Sequence, residues 1–301
     1  MNFRTETLDV ALIGRYRRAL DFLELTKPRV TLMVLVTTFV GFYLGSDSMP
    51  DYFALVQTLV GTALAAGGTL GLNQFLERDA DAKMSRTRHR PLPDGRVQPT
   101  EALVFSIVLA CAGLLILAFT VNILSALITG FIFGSYLFIY TPLKSRSVFC
   151  GIVGAVPGAL PPVIGWTAAR SDISIEAWVL FAILFFWQIP HTLAIAWLYR
   201  DDFAKAGIRF LPVVKPEGGS TGRQVVSNCM ALLAVSLLPT LLGLAGSTYF
   251  FVALLVGVGF LACGLSLARS QSLAAARRLL FASLIYLPVL LFVMALDRIP
   301  M

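Results

Sequence analysis

The chain has 301 residues, of which 57% are hydrophobic and 14% charged, and its mean hydropathy is +0.80. This composition excludes a soluble globular domain of this length and indicates an integral membrane protein. The formal net charge is +7, but no basic run interleaved with aromatic residues accompanies it, so the sequence does not indicate nucleic-acid binding.

Nine apolar stretches follow one another along the chain, and each is long enough to cross a hydrocarbon core of about 30 Å. We therefore predict an all-α polytopic membrane protein, in which a bundle of nine transmembrane helices surrounds a central cavity that opens to the cytoplasmic side. The predicted spans lie near 29–46, 53–75, 101–119, 122–140, 148–168, 175–198, 224–245, 248–268 and 278–296. We expect 1–26 to form a cytoplasmic or interfacial segment and 27–301 to form a single transmembrane domain.

The distribution of lysine and arginine favours this number of spans. With the N-terminus inside and the C-terminus outside, 22 of the 24 basic residues fall in segments on the cytoplasmic side, and only Arg170 and Arg298 fall outside. Lysine and arginine are enriched in cytoplasmic loops of membrane proteins. The charges therefore predict this orientation.

Three oxygen-bearing side chains stand at the end of the second span. Asn73, Glu77 and Asp81 recur at i, i+4 and i+8, so they form one stripe on a helix. Two carboxylates this close raise each other's pKa unless a cation lies between them, and Mg²⁺ prefers oxygen ligands. The stripe therefore predicts a magnesium site at the membrane surface.

Basic side chains follow the stripe. Arg86 and Arg90 stand in a proline-containing loop just beyond Asp81, and Lys144 stands in the next cytoplasmic loop. Carboxylates can face a diphosphate only through a metal ion, with arginine and lysine supplying the remaining positive charge. We therefore predict that these three bases bind a diphosphate.

Among the other acids on the same predicted side of the membrane, three come directly after a predicted span. Asp201 and Asp202 follow the sixth span, and two acidic clusters on one face can share a metal-bridged diphosphate, so Asp202 is a candidate ligand of both. Alternatively, these two acids only balance nearby bases. Asp79 points away from the stripe if the helix continues, and either a second ion or an ion pair with Arg78 or Lys83 accounts for it.

Motifs within and between the first six spans carry a family resemblance. They are Leu25-Thr-Lys-Pro-Arg-Val-Thr31, the stripe, Arg90-Pro-Leu-Pro93, Tyr140-Thr-Pro-Leu-Lys144, the run from Pro157 to Trp166, Trp187-Gln-Ile-Pro-His191 and Leu211-Pro-Val-Val214. The chain resembles the protohaem IX farnesyltransferases, or haem O synthases, of the intramembrane aromatic prenyltransferase superfamily. The second acidic motif of that superfamily is spaced Asp-x-x-x-Asp, whereas Asp201 and Asp202 here are followed by Lys205 and Ala206.

The resemblance implies a reaction. Farnesyl diphosphate donates its farnesyl group to a vinyl group of haem b, and water adds, giving haem O and diphosphate for the biogenesis of haem-copper terminal oxidases. It implies Mg²⁺ as the cofactor and haem b as a substrate. It also implies a bacterial plasma (inner) membrane protein with its active site toward the cytoplasm. A haem a synthase or a terminal oxidase assembly factor is the candidate protein partner.

The resemblance also assigns roles to residues. Tyr140 offers an aromatic face to an allylic cation, and Trp187 and His191 are expected to bind haem, His191 as an iron ligand or as the partner of a propionate. The expected catalytic residues are Asn73, Glu77, Asp81, Tyr140 and Lys144. The expected metal ligands are Asn73, Glu77, Asp81 and Asp202, and the expected diphosphate ligands are Arg86, Arg90, Lys144 and Asp202.

Two other functions compete with this interpretation. A prenyltransferase with another acceptor, such as a hydroxybenzoate or a porphyrin-like pigment, keeps the stripe but does not require His191. A transporter also has many spans and intramembrane prolines. Transporter sites, however, usually lie near the bilayer midplane between internal repeats, whereas this chain shows no such repeat and its acids gather at the membrane surface.

Overall fold

The computed structural model describes residues 16–47 and 49–299, and this part of the chain contains nine helices that are long and apolar enough to cross a membrane. They are α1 (Pro28–Gly45), α2 (Tyr52–Asp81), α3 (Pro99–Val121), α4 (Ile123–Leu143), α5 (Cys150–Arg170), α6 (Ile175–Leu198), α7 (Gly219–Leu241), α8 (Ser247–Ser270) and α9 (Leu273–Leu296). The same residues form no β-strand, and their one isolated bridge joins Ala245 to Arg298. The all-α polytopic fold is therefore confirmed.

The predicted and observed boundaries differ most at the end that carries the stripe. The second span was expected to end near residue 75, but α2 continues to Asp81 and contains the whole stripe. Of the expected surface segment 1–26, residues 1–15 lie outside the described part of the chain, and 16–25 are helical.

Several helices depart from regular α geometry. α3 ends in the π-helical segment Leu117–Val121, and α4 contains the π-helical segment Ser135–Tyr140. α5 is interrupted at Leu160, directly before Pro161, whose ring nitrogen has no hydrogen to donate. Two short helices, Arg200–Lys205 and Leu211–Val214, lie in the connection from α6 to α7.

Glycine lets α1 and the second half of α5 cross at very short distance. A Cβ atom on Gly41 would lie 2.0 Å from the carbonyl oxygen of Pro162, and one on Gly165 would lie 1.9 Å from that of Thr38. Small residues are what permit such backbone contact between helices in a membrane. This crossing holds α1 directly against the second half of α5.

The largest buried side chains lie in the half of the bundle away from the stripe. Trp166, Tyr249 and Tyr286 are at most 2% exposed, within a core built mainly by α6, α7, α8 and α9. Large apolar side chains such as Phe119 and Leu255 are exposed on the outer surface, as expected where a helix faces lipid.

Candidate active site

Each side chain of the stripe bonds to a basic side chain from another segment of the chain. The pairs are Lys27 Nζ with Asn73 Oδ1 at 3.1 Å, Lys144 Nζ with Glu77 Oε1 at 2.7 Å, and Arg90 Nη1 with Asp81 Oδ2 at 2.6 Å. The bases come from the start of α1, the end of α4 and the loop that joins α2 to α3. Three parts of the fold therefore converge on one face of α2.

The stripe is shielded from solvent. The side chain of Asp81 is 3% exposed and that of Glu77 is 16% exposed, and Asn73 is buried, with its Nδ2 donating to Thr141 Oγ1 at 3.2 Å. A carboxylate at such depth needs a charged partner or a metal ion. The exposed side chain of Asp79 instead points away and lies 3.8 Å from Arg78, which favours the ion-pair alternative for this residue.

Arg96 holds the loop that carries Arg86 and Arg90. Its guanidinium bonds to Asp21, to Asp94 at 2.9 Å and to the carbonyl oxygen of His89 at 2.8 Å. These contacts tie the loop to the helical residues before α1. They keep the two predicted diphosphate ligands at the end of α2.

The end of α4 brings an aromatic pair to the same place. The rings of Tyr136 and Tyr140 lie 5.1 Å apart, and Lys144 Nζ lies 4.6 Å from the centre of the Tyr140 ring. Thr141 Oγ1 donates to the carbonyl oxygen of Tyr136 at 2.8 Å, five residues earlier. The π-helical segment thus directs Tyr140 and Lys144 toward Glu77.

The three bases of the site outnumber the two carboxylates of the stripe. Burial lowers the pKa of Lys27 to about 7, and repulsion from Arg90 and Lys144 adds to this effect, although Glu77 and Asp81 act in the opposite direction. Burial would also lower the pKa of Lys144, but the neighbouring Tyr140 and Glu77 oxygens raise it above its ordinary value. The site therefore favours the entry of an anion.

Arg86 lies between the two acidic clusters. Its guanidinium stands over the Tyr199 ring at 5.6 Å, and burial together with repulsion from Arg90 lowers its pKa. The Ser85 hydroxyl donates to Asp202, and this hydrogen bond, with Lys205 nearby, holds the pKa of the Asp202 carboxyl below its usual value. The structure thus joins Asp202 to the Arg86 loop.

An apolar cavity of about 660 Å³, including its open mouth, lies among α1, α2, α4 and α5. One end of this cavity meets the stripe and its bases, which together form the charged end of the site. Three pairs of residues, each about one helical turn apart, connect the cavity lining to that end: Val30 with Lys27, Thr69 with Asn73, and Tyr136 with Tyr140. The arrangement suits an amphiphile with its apolar chain in the cavity and its anionic head against the stripe.

The predicted haem ligands lie on α6, and neither lines this cavity. The rings of Trp187 and His191 are stacked at 5.0 Å, and both side chains bond to Ser283 of α9. His191 Nδ1 lies 2.7 Å from Ser283 Oγ, which fixes the ring orientation.

The donor set of the stripe fits Mg²⁺. The described residues contain no cluster of three or more His, Cys, Asp or Glu side chains that could enclose a metal ion, and the stripe offers two carboxylates and one amide oxygen. Magnesium sites are commonly built from one or two carboxylates together with substrate phosphates. The side chains therefore suit a metal ion that shares its ligands with a diphosphate.

Sequence reasoning missed Lys27, Tyr136 and Thr141 as residues of the site. Lys27 and Thr141 belong to motifs used only as marks of resemblance, and Tyr136 appeared as an ordinary member of an apolar span. The available signal was position: Lys27 directly precedes Pro28, which begins α1. Proline at the first position of a helix marks its start, so the preceding base must lie at the membrane surface.

Comparison with known proteins adds sequence and fold similarity to this geometry. The family described as the UbiA prenyltransferase family matches residues 34–285. The chain is 47% identical over 287 residues to a protoheme IX farnesyltransferase of Solibacter usitatus (strain Ellin6076), covering 92% of this chain and 98% of that protein.

Two solved structures share the fold at low sequence identity. A structure from work on digeranylgeranylglyceryl phosphate synthase superposes with a TM-score of 0.77 at 17% identity, covering 93% of this chain and 98% of that one. A UbiA homolog from Archaeoglobus fulgidus bound to GPP and Mg²⁺ superposes with a TM-score of 0.63 at 19% identity, covering 91% of this chain and 99% of that one.

Proposed function

The chain belongs to the UbiA prenyltransferase family, and from that membership we propose that it transfers the farnesyl group of farnesyl diphosphate to a vinyl group of haem b. Water adds in the same reaction, and the products are haem O and diphosphate. The observation that carries this proposal is the near full-length similarity to protoheme IX farnesyltransferases. The stripe at the end of an apolar cavity supports it on physical grounds.

The proposed roles divide between the two ends of the cavity. Asn73, Glu77 and Asp81 would hold Mg²⁺, which supplies Lewis-acid stabilisation to a departing diphosphate. Arg90 and Lys144 would bind diphosphate oxygens. These charge-assisted bonds are strong in a site shielded from water, where they stabilise the charge that develops on the leaving group.

The apolar end of the site holds the farnesyl chain and limits access of water to it. Breaking the bond between C1 and the diphosphate oxygen leaves an allylic cation, and the rings of Tyr136 and Tyr140 lie where they can face it. Such a contact contributes of the order of 1–2 kcal/mol for each well-placed ring in a dry site. C1 then bonds to the vinyl group, and the hydroxyl of water completes the new side chain as a proton leaves.

The proposed location is the bacterial inner membrane, with the site facing the cytoplasm. The bases of the site lie on the side predicted to be cytoplasmic, which supports this orientation. Haem O made at this site would serve a haem-copper oxidase, and a haem a synthase or an oxidase assembly factor would receive it.

The direct test is product analysis with purified protein. The full chain in detergent is given haem b, farnesyl diphosphate and Mg²⁺, and the extracted haems are weighed by mass spectrometry beside a sample with EDTA. We expect a haem O mass that disappears with EDTA. Prenylation of an added hydroxybenzoate with haem b unchanged would replace the acceptor, whereas consumption of neither substrate by folded protein would reject prenyl transfer.

His191→Ala tests the haem contact separately from the stripe. We expect weaker retention of haem b, measured by its absorbance after gel filtration, with unchanged binding of diphosphate. Ser283→Ala is the matched variant, since it removes the partner of the ring but leaves the imidazole, and it should lower haem affinity less. Equal haem affinity in His191→Ala and the parent would remove this residue from the haem site.

A further inference from the structure

The segment before α1 is held in an unusual conformation by several hydrogen bonds. The carbonyl oxygen of Leu25 accepts a bond from Gln74 Nε2 at 2.7 Å, and that of Thr26 accepts one from Thr31 Oγ1 at 2.7 Å. Between these anchors and α1, Lys27 adopts φ 47° and ψ 67°, in the left-handed region that residues other than glycine seldom occupy. Strained positions that their surroundings enforce are often functional.

The strained backbone directs a base at the stripe. Lys27 Nζ lies 3.1 Å from Asn73 Oδ1, and Val30, one turn further along α1, lines the apolar cavity. The ammonium group therefore stands at the point where the cavity meets the charged end of the site. This is where the proposed function places the diphosphate of the substrate.

Lys27 differs from the other two bases in the partner that it holds. Lys144 and Arg90 each bond to a carboxylate, whereas the partner of Lys27 is a neutral amide. A hydrogen bond between two ions is stronger than one between an ion and a neutral group. Of the three bases, Lys27 is thus the one that a diphosphate can most easily draw away from the stripe.

The charges of the site agree with such a transfer. Three bases face two carboxylates, so these five groups leave one positive charge without a carboxylate partner when Lys27 is protonated. At the same time, Lys27 occupies the amide oxygen of Asn73, which is one of the proposed metal ligands. The lysine and a metal ion therefore compete for the same oxygen.

We propose that Lys27 is a diphosphate-binding residue that moves from the Asn73 oxygen to a diphosphate oxygen when substrate and metal ion enter together. This inference rests on the proposed function, since it assumes a prenyl diphosphate as the donor. Because diphosphate draws the ammonium away from Asn73, it opens a ligand position for the metal. Metal and diphosphate then strengthen each other's binding beyond their direct attraction.

Binding of Mn²⁺ as a probe for Mg²⁺ tests this proposal without turnover. The free Mn²⁺ signal in electron paramagnetic resonance gives the affinity of the full chain in detergent for Mn²⁺. Titration of inorganic diphosphate into the sample with Mn²⁺ then gives the affinity for diphosphate in the presence of the metal ion. The variants are Lys27→Gln, which removes the charge, Lys27→Arg, which keeps it, and Arg29→Gln, which removes an exposed charge two residues away. Thermal unfolding of each variant reports whether the fold is intact.

We expect opposite changes in the two measurements for Lys27→Gln. Mn²⁺ alone should bind more tightly than in the parent, because the Asn73 oxygen is free of its bond to Lys27. Diphosphate in the presence of Mn²⁺ should bind about tenfold more weakly, because one charge-assisted bond is lost. Lys27→Arg should recover most of that loss, and Arg29→Gln should match the parent.

Any other pattern overturns the proposal. Parallel weakening of both affinities would show that Lys27 only maintains the shape of the site, and unchanged affinities would show that it does not contact diphosphate. These binding measurements do not depend on the acceptor. Opposite changes in the two affinities without haem O formation would reject haem as the acceptor and leave the role of Lys27 standing. Haem O formation with parallel changes would reject the role of Lys27 and leave the proposed function standing.

Discussion

The stripe and the second acidic cluster, Asp201 with Asp202, lie near each other but differ in burial and in the partners of their carboxylates. Asp81 is buried against Arg90 at the end of a helix of 30 residues. Asp201 is 91% exposed on a helix of six residues, and Asp202 bonds to the Ser85 hydroxyl of the adjacent loop. Similar residue types on one face of a membrane protein therefore produce two different environments.

The difference shows what makes an acidic cluster a binding site. Turns of α2 below the stripe line the apolar cavity, so the stripe is continuous with the place where a prenyl chain fits. The second cluster has no such connection, since Arg200–Lys205 contributes no residue to the cavity lining. We infer that the stripe acts on the substrate and that Asp202 acts mainly through the loop that carries Arg86.

Of the substitutions that test this difference, Asp81→Asn should lower the rate of haem O formation most. The variant removes one of two carboxylates in the stripe and leaves the partly buried Arg90 without its ionic partner, so we expect haem O formation to fall by about 10³-fold. The matched control is Asp79→Asn, two residues away and exposed, which should keep activity within about twofold of the parent. The rates are measured on protein that elutes as a folded, detergent-solubilised species. Normal turnover in Asp81→Asn would remove the stripe from the chemistry.

Ala66→Phe should change which prenyl chain is accepted. Ala66 lines the cavity about 10 Å along α2 from Asn73, given a rise of 1.5 Å per residue. A phenyl ring there shortens the cavity, so we expect the ratio of kcat/KM for farnesyl over geranyl diphosphate to fall about 50-fold. Ala63→Phe is the control, because Ala63 faces a groove formed by α1, α2 and α3. An unchanged ratio in Ala66→Phe would place the chain elsewhere.

Asp202→Asn should have the smallest effect of the three. The variant weakens the contact with Ser85 and thereby loosens the Arg86 loop, so we expect KM for farnesyl diphosphate to rise about fivefold with little change in kcat. Asp201→Asn, which alters an exposed neighbour, should leave both constants unchanged. A loss in kcat as large as that of Asp81→Asn would instead make Asp202 an equal metal ligand and would remove the distinction between the clusters.

The sequence predicted the parts of this molecule that depend on local pattern. Span number follows from apolar length, and the common face of Asn73, Glu77 and Asp81 follows from helical periodicity once α2 continues to Asp81. The expectation that Asp79 turns away from the stripe is confirmed for the same reason. The site roles of these residues stay predictions.

The rest depends on contacts between distant segments. The left-handed conformation of Lys27 is supported by a hydrogen bond from Gln74 to the preceding segment, 49 residues apart in sequence. The π-helical segment Ser135–Tyr140 is made mostly of apolar residues, like the α-helix before it. Neither feature leaves a periodic signal, so hydrophobicity alone could not reveal it.

The π-helical segment of α4 separates the part of the helix that packs in the membrane from the part that carries Lys144. An α-helix turns by about 100° per residue, and a π-helical turn accommodates one extra residue, so residues after Tyr140 are rotated relative to an uninterrupted helix. The part of α4 before the segment can keep its apolar side chains facing lipid and neighbouring helices. The rotation after the segment lets Lys144 face Glu77 independently of that packing. Substitutions in the body of the helix can therefore accumulate without rotating the active-site residues out of place.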